Sequence, residues 1–245
     1  MNPDWWFLLG AAFAAGLARG FSGFGAALIF IPLVSAVIGP RMAAPLLLVI
    51  DAVTSLGLLP RAWAMANRRE VGVMMLGCAL GTPLGAWVLT HADPLAIRWA
   101  IVGVVVLALG LLMSGWRYRG QPRAGLTVAV GAVSGVFSGI AQVGGPPVVA
   151  YWLGGNIPVA TVRANIMLYF AAATVVTTIS FAVGGLFVRE LLFYALLTGP
   201  LYGVGLFLGS RLFGLASERS FRRACYALIV VAAVLGLPVL DGVLR

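Results

Sequence analysis

Two short glycine-rich stretches place hydrogen-bond donors inside otherwise apolar sequence. The first reads Gly20-Phe21-Ser22-Gly23-Phe24-Gly25, and the second reads Ser138-Gly139-Ile140-Ala141-Gln142-Val143-Gly144-Gly145-Pro146-Pro147. Glycine permits sharp turns and exposes the backbone, and the start of a helix carries free N–H groups and a partial positive charge. Both stretches therefore predict a site for a small anion. The candidate ligand-binding residues are Ser22, Gly23, Gly25, Ser138, Gly139, Gln142, Gly144 and Gly145.

Three further polar residues are candidates for function. Asp51 is a carboxylate deep in an apolar run, where an ionisable side chain is a functional candidate. It either carries a coupling proton, pairs with an arginine, or stays neutral beside Thr54 or Ser55. Arg163 and Asn165 begin the helix after the second stretch. Arg163 is either a bidentate ligand of an oxyanion or a topology anchor, and Asn165 is a candidate substrate ligand.

The composition indicates an integral membrane protein whose partners include the lipid bilayer. Hydrophobic residues make up 62% of the chain and charged residues 9%, whereas soluble domains carry about 25% charged residues. The net charge of +9 comes from arginines, most of them in short loops between apolar runs. Arginines so placed set membrane topology, and we therefore predict no nucleic-acid partner.

The apolar sequence divides into about eight hydrophobic units, and two of them are too long for one crossing. As straight helices, residues 5–39 would span about 50 Å and residues 124–154 about 45 Å, against a hydrocarbon core about 30 Å thick. The units lie near 5–39, 42–60, 71–90, 95–115, 124–154, 160–185, 190–213 and 222–240. Each long unit contains one of the two glycine-rich stretches, so each is predicted to break there.

The distribution of arginines favours a reversal at each break. If each long unit crosses once, the arginines divide almost evenly between the two sides. Arg19 lies beside the first break and is left out of the count. If each unit folds back, one side holds only Arg41, Arg98, Arg189 and Arg245. The other side then holds Arg61, Arg68, Arg69, Arg117, Arg119, Arg123, Arg163, Arg211, Arg219, Arg222 and Arg223. The positive-inside rule makes this second side cytoplasmic, with linker 116–123 inside and both termini outside.

The predicted fold class is an all-α polytopic membrane protein with two inverted repeats. Each half contains one re-entrant hairpin and three crossings, and an odd number of crossings places related halves in opposite orientations. Repeat 1 covers about 5–115 and repeat 2 about 124–241, in a single domain over 1–245. Sequence matches in constant order support the repeat, such as Arg69-Glu70 with Arg189-Glu190.

Catalytic and metal-binding signatures are missing from the sequence. Cys78 and Cys225 lie in apolar segments without metal-ligand spacing, and His91 lies in a short polar turn. The sequence has no HExxH motif, Walker loop or Ser/His/Asp set. We therefore expect neither an enzyme nor a bound metal or cofactor.

The motifs resemble those of the sulfite exporter TauE/SafE family, also grouped as toluene sulfonate uptake permeases. The resemblance covers nearly the whole chain. It is carried by the first glycine-rich stretch with Ile31-Pro32-Leu33, by Gly144-Gly145-Pro146-Pro147-Val148-Val149-Ala150-Tyr151 and by Arg163-Ala164-Asn165. It implies a small permease for sulfur-containing anions such as sulfite, sulfoacetate and other sulfonates.

Residues and resemblance together predict a secondary transporter in the plasma (inner) membrane. Export of a small sulfur oxyanion or sulfonate is favoured over import, because an anion leaves a negative cytoplasm downhill. The alternatives are an anion channel and a membrane scaffold without flux. Faces of small residues on the helices are compatible with a homodimer.

Overall fold

The computed structural model describes residues 4–22, 25–55, 63–118, 120, 123–153, 158–212 and 218–241. Its main elements are ten helices and a 3₁₀ turn, with no strand in the described residues, so the all-α prediction is confirmed. The helices are α1 (Asp4–Ser22), α2 (Ala26–Ile38), α3 (Pro40–Ser55), α4 (Arg68–His91), α5 (Pro94–Ser114), α6 (Ala124–Ala141), α7 (Gly145–Trp152), α8 (Val159–Val183), α9 (Arg189–Leu212) and α10 (Glu218–Leu235). The 3₁₀ turn is Pro238–Leu240.

Helix lengths separate membrane-spanning candidates from partial spans. In the described part of the chain, five helices are long and apolar enough to cross a bilayer, namely α4, α5, α6, α8 and α9. Helix α2 has 13 residues and α7 has 8, about 20 Å and 12 Å at 1.5 Å per residue. Neither reaches across a hydrocarbon core about 30 Å thick.

Both long apolar units are interrupted where the glycine-rich stretches predict a break. Between α1 and α2, Gly25 has a φ of 100°, a conformation that glycine adopts at little cost. Between α6 and α7, Gln142 has a φ of 58° and is the one non-glycine residue of the described chain with positive φ. Each interruption ends one helix and starts another within four residues.

The chain packs as two compact units that do not coincide with the two sequence halves. The first unit contains Met1–Ile50, Ala92–Leu109 and Leu186–Arg245, and the second contains Asp51–His91 and Gly110–Gly185. The first therefore holds the α1–α2 pair together with α9, and the second holds the α6–α7 pair together with α4. Each broken helix thus packs with a long helix from the other half of the sequence.

In the second unit, α4 and α6 lie side by side and run in the same direction. A side chain at Gly77, Gly81 or Gly85 of α4 would collide with carbonyl oxygens of α6, at Val128, Ala132 and Val136 in turn. Conversely, Gly131, Gly135 and Gly139 of α6 lie against the backbone of α4. Small residues on both faces allow the two backbones to touch, as is usual for helices packed in membranes.

The first unit repeats this arrangement with α1 and α9. Gly16 and Gly20 of α1 lie against the backbone at Tyr202 and Leu206 of α9, and Gly205 of α9 lies against Phe13. The residue numbers rise together, so these helices also run in the same direction. A broken helix packed on a parallel, glycine-faced helix is therefore common to both units.

Helix α7 turns back along α6 toward the end where α6 begins. The Ser134 hydroxyl in the middle of α6 contacts Gly144 at the start of α7, and Thr127 near the start of α6 contacts Tyr151 at the end of α7. The N–H of Tyr118, which precedes α6, donates to the Ala150 carbonyl at 3.2 Å. The chain therefore reverses direction at residues 142–144.

The α4–α6 contact predicts that Gly81→Ala lowers stability. The added methyl group meets the Ala132 carbonyl oxygen, and overpacking of this kind costs about 1–3 kcal/mol. Thermal unfolding of the detergent-purified protein is expected to shift down by roughly 2–12 °C. Gly72→Ala in the same helix is the matched control, because no atom lies within 4 Å of its added methyl group. An equal effect of the two substitutions would contradict the close packing.

Candidate functional site

The second interruption begins where Gln142 ends α6. The N–H of Gln142 donates to the Ser138 carbonyl at 3.0 Å, and the N–H of Val143 donates to the Phe137 carbonyl at 3.3 Å. These bonds satisfy carbonyls that a helix end otherwise leaves open. The left-handed conformation of Gln142 then turns the chain toward α7.

The start of α7 presents few amides, and they are buried. Gly144 is its N-cap and Gly145 its first residue, so Pro146 is the second residue of α7. Pro146 and Pro147 have no N–H, which leaves the N–H groups of Gly144 and Gly145 as the donors at this helix start. Neither donates to a backbone carbonyl in any turn or cap bond among the described residues. The first N–H groups of a helix have no partner within the helix, so these two amides are candidate donors to a ligand.

Two side chains add donors at the same interruption. The Gln142 amide nitrogen Nε2 is buried without a hydrogen-bond partner. The Ser138 side chain, of which 9% is exposed, lies so close to Gly144 that a side chain at Gly144 would collide with its Oγ. No charged residue occurs between positions 124 and 152. The interruption therefore offers neutral donors and a helix start, an arrangement that suits an anion.

A hydroxyl pair holds the start of α7 against α6 and α8. The Ser134 hydroxyl donates to the Gly144 carbonyl at 2.6 Å, and the Tyr169 hydroxyl donates to Ser134 Oγ at 2.8 Å. Both side chains are fully buried. We call this pair the Ser134 bridge. The bridge fixes the carbonyl of Gly144, the N-cap of α7. It therefore also fixes the direction of the Gly145 N–H in the same peptide group.

The Ser134 bridge differs from the serine and threonine hydroxyls of α8. The hydroxyls of Thr174, Thr177 and Ser180 all donate to the carbonyl four residues earlier in their own helix, α8. This is the usual bond of serine and threonine within a helix. Ser134 instead reaches across to another helix. Sequence reasoning missed both bridge residues, although Ser134 stands one helical turn before Ser138 and so on the same face.

The first interruption is described only in part. Gly25 is the N-cap of α2, and the N–H of Leu28 donates to its carbonyl at 3.1 Å. Residues from Ala26 to Ala36 of α2 are buried throughout. The predicted ligand Gly23 and the side chain of Ser22 lie outside the described residues. Of the three predicted ligands in this stretch, Ser22 is the last residue of α1 and Gly25 is the N-cap of α2.

The remaining predicted residues lie away from the second interruption or in packing contacts. Gly139 faces α4, where a side chain would meet Gly85 and Thr82; close helix packing accounts for it. Arg163 is exposed, and Asn165 is fully buried against Asn67, whose N–H donates to Asn165 Oδ1 at 2.7 Å. Tyr169 is the member of the Ser134 bridge that lies on α8. Arg163 lies about 9 Å from it along the axis of α8.

Asp51 lies in α3 and is half-buried. It interacts with a neighbouring group. Its predicted coupling role stays a prediction.

Comparison with known protein families identifies the chain. Residues 8–235 match the family model described as Sulfite exporter TauE/SafE. The chain belongs to this family. No curated protein and no solved structure matches it significantly.

Membership of the TauE/SafE family establishes the general class. The protein is a multi-pass membrane transporter and not an enzyme. The resemblance noted in the sequence is confirmed over most of the chain. Within this TauE/SafE protein, the second interruption is the best-described candidate for the transport site, because its donors lie at a helix break inside apolar sequence.

The Ser134 bridge predicts a measurable coupling between two side chains. Ser134→Ala removes the hydroxyl that donates to the Gly144 carbonyl and accepts from the Tyr169 hydroxyl, which costs about 1–3 kcal/mol, whereas Tyr169→Phe costs about 0.5–1.5 kcal/mol. The double variant is expected to lose at least about 0.5 kcal/mol less than the sum. Thermal unfolding of the three variants measures this coupling. Thr177→Val, which removes a bond within α8, is the control; strict additivity would contradict the bridge.

Proposed function

We propose that this TauE/SafE transporter exports a small sulfur-containing anion, such as sulfite, sulfoacetate or another organosulfonate, across the plasma (inner) membrane. The proposed substrate ligands at the second interruption are Ser138, Gln142, Gly144 and Gly145. The proposed ligands at the first interruption are Ser22, Gly23 and Gly25. Arg163 and Asn165 stand outside these two groups, and Asp51 is proposed as a coupling residue.

The unpartnered donors at the second interruption carry the proposal. Lipid offers no hydrogen-bond acceptor for a broken helix, so the freed groups must face protein, water or a ligand. Here the Gln142 side-chain nitrogen and the amides of Gly144 and Gly145 are buried. The Ser134 bridge holds the Gly144 carbonyl in place. An oxyanion supplies several acceptors at once and so satisfies several neutral donors.

The internal packing of each unit supports an inverted repeat. In each unit a broken helix, α1 or α6, packs in parallel on a glycine-faced long helix, α9 or α4. In both units, the broken helix comes from one half of the sequence and the long helix comes from the other half. Repeats related in this way carry substrate sites at broken helices near the bilayer midplane. Each unit thus offers its own interrupted helix as a candidate part of the substrate site.

The contacts at one end of the second unit support the fold-back topology. Helices α4 and α8 begin together, since Asn67 contacts Asn165, and the reversal of α7 returns the chain to the end where α6 begins. This agrees with the arrangement that collects eleven arginines on one side. Under the positive-inside rule that side is cytoplasmic. Exit of an anion from a negative cytoplasm releases about 2.3 kcal/mol per charge per 100 mV, which favours export.

Burial of the second interruption favours a carrier over a channel. Gly144 and Gly145 are buried between packed helices, whereas a conducting pore keeps its ligands in contact with a continuous aqueous path. A scaffold without flux has no need of unpartnered buried donors, which destabilise a folded protein. A saturable flux is therefore the expected behaviour.

Ser138→Ala and Gln142→Gly are expected to lower transport by removing one donor each. Glycine at 142 tolerates the left-handed backbone, so that substitution removes the amide without strain. Loss of one hydrogen bond to a charged ligand costs about 1.5–3 kcal/mol, or about a tenfold to hundredfold fall in kcat/KM. Uptake of labelled sulfite and sulfoacetate into inside-out proteoliposomes measures this loss. Ser138→Ala combined with Gly145→Val is expected to abolish transport.

Ser180→Ala is the matched control for these variants, because the Ser180 hydroxyl bonds within its own helix. It should retain wild-type flux. Size-exclusion profiles establish that each variant is folded. Wild-type flux of every tested sulfur anion in the Ser138→Ala, Gly145→Val protein would refute the proposed site.

The proposed orientation predicts opposite labelling of two engineered cysteines. Ser114 is exposed at the end of α5 that leads into the linker, and His91 is exposed in the turn between α4 and α5. In a protein lacking Cys78 and Cys225, Ser114→Cys should react with a membrane-impermeant maleimide only from the cytoplasmic side. His91→Cys should react only from outside. The reverse pattern would contradict the orientation while leaving the fold intact.

A further inference from the structure

A second group of unpartnered polar atoms lies where α7 ends and α4 and α8 begin. Asn67 is the residue before α4, and its side chain accepts from the N–H of Glu70 at 3.3 Å and donates to Glu70 Oε1 at 3.1 Å. This is a capping pair at a helix start. The Asn67 N–H donates to Asn165 Oδ1. Trp152, the last residue of α7, has its indole beside the Glu70 carboxyl group. We call Glu70, Trp152 and Asn165 the acid cluster.

Each member of the acid cluster keeps one buried atom without a hydrogen-bond partner. These atoms are Nε1 of Trp152, Nδ2 of Asn165 and Oε2 of Glu70. Trp152 is 1% exposed and Asn165 is 0% exposed. The indole and the carboxyl group face each other without reaching hydrogen-bond geometry. Two donors and one acceptor are thus buried together, and each such atom costs about 1–3 kcal/mol if it stays unpaired.

The polarity of the three atoms defines what fits among them. A group that joins Trp152 Nε1 to Glu70 Oε2 must accept one hydrogen bond and donate another, so it is an O–H group. Asn165 Nδ2 needs a further acceptor. A sulfonate or a fully deprotonated oxyanion accepts from both donors but has no proton for Glu70. A singly protonated oxyanion satisfies all three atoms.

The surroundings favour an oxyanion over a lone water molecule. Helices α4, α6 and α8 all begin at this end, and helix starts carry partial positive charge. Among the described residues, the exposed arginines at this end include Arg68 and Arg69 on α4, Arg117 and Arg123 before α6, and Arg163 on α8. A ring of exposed cations draws anions toward a cleft. A neutral water molecule is not concentrated by positive charge, so these cations and helix starts favour an anion as the ligand.

We infer that the acid cluster binds the singly protonated form of the transported oxyanion, namely hydrogen sulfite, with Trp152 and Asn165 donating to its oxygens and Glu70 accepting its proton in a hydrogen bond. This inference rests on the proposed function and adds the protonation state of its substrate. The Glu70 carboxylate repels a doubly charged anion. It stabilises a singly protonated anion by accepting a hydrogen bond from the O–H group of that anion. The acid cluster therefore selects hydrogen sulfite over sulfate, which has no proton at neutral pH.

Other titratable groups packed around the acid cluster are engaged elsewhere. The Tyr151 hydroxyl on α7 bonds Thr127 at 2.6 Å, and the Tyr169 hydroxyl on α8 bonds Ser134. Tyr118 stacks on Tyr151 with ring centroids 5.2 Å apart. Glu70 is therefore the group of this cluster that discriminates between protonation states of the ligand.

Isothermal titration of the full-length protein in detergent, under nitrogen, tests the inference. The probes are sulfite, sulfate and methanesulfonate, each titrated at several pH values around neutrality. Wild-type protein should prefer hydrogen sulfite to sulfate by about tenfold to a hundredfold, the value of one hydrogen bond to a charged group. Its apparent affinity for total sulfite should fall, approaching about tenfold per pH unit, as pH rises and hydrogen sulfite loses its proton.

Glu70→Gln is the decisive variant, because it keeps the side-chain length and the oxygen that pairs with Asn67 but adds an amide donor. Its preference for hydrogen sulfite over sulfate should fall at least about tenfold, and the pH dependence should flatten. Trp152→Phe should weaken sulfite and sulfate alike and leave the pH dependence unchanged. Glu190→Gln is the matched control, since Glu190 is exposed in the first turn of α9, and should behave as wild type.

The outcomes separate this inference from the proposed function. If Glu70→Gln keeps the wild-type selectivity and pH dependence while Ser138→Ala still lowers flux, the acid cluster holds only water and the inference is overturned. If the wild-type protein neither binds nor transports any sulfur anion, both are overturned. Loss of selectivity in Glu70→Gln with a wild-type unfolding temperature supports the inference, because a structural defect would lower that temperature.

Discussion

The need to pair every backbone N–H and C=O group inside a bilayer governs this protein. A helix satisfies these groups internally, and a helix that stops at membrane depth does not. The chain stops two helices within apolar sequence, after Ser22 and after Ala141. At the second stop, hydrogen bonds to the Phe137 and Ser138 carbonyls and the Ser134 bridge satisfy the acceptors, and inward-pointing donors remain. Under the proposed function, this excess of donors over acceptors would favour a negatively charged ligand at the break.

Neutral donors are well suited to a carrier that must release its ion. A buried arginine would bind an oxyanion strongly but would carry a large desolvation cost in the empty state. In the proposed site, amides, a serine hydroxyl and a glutamine amide would hold the ion through several bonds of moderate strength. They remain uncharged when the ion leaves. Close packing of α4 on α6 keeps these donors in place, since the glycine faces let the two backbones touch.

Both helix breaks could be predicted from sequence, because length and charge each demanded an interruption there. Residues 5–39 and 124–154 are too long for one crossing, and glycines mark the points of reversal. The helical class and the family also followed from the sequence. The Ser134 bridge did not follow, because nothing in one sequence tells which faces of α6 and α8 meet. Gly139 is a predicted ligand residue, and nothing in the sequence indicates that it also faces Gly85 of α4.

The grouping into units escaped sequence reasoning for a related reason. A repeat suggests that each half packs on itself, but close backbone packing depends on which glycine faces complement each other. Gly16 of α1 packs against the Tyr202 backbone of α9, and Gly81 of α4 packs against the Ala132 backbone of α6. The Asn67–Glu70 capping pair is readable as Asn-x-x-Glu before a helix. Its link to Asn165 requires knowledge that α4 and α8 begin together.

The pairing of α1 with α9 has a consequence for biosynthesis. The face of α1 around Gly16 and Gly20 reaches its native neighbour only after most of the polypeptide has left the ribosome. At about 5–20 residues per second, that interval lasts about ten to forty seconds. During this time the nascent first helix must rest against lipid, the insertion machinery or a chaperone, while α4 and α6 are already able to associate. Assembly is thus expected to proceed from the middle of the chain outward.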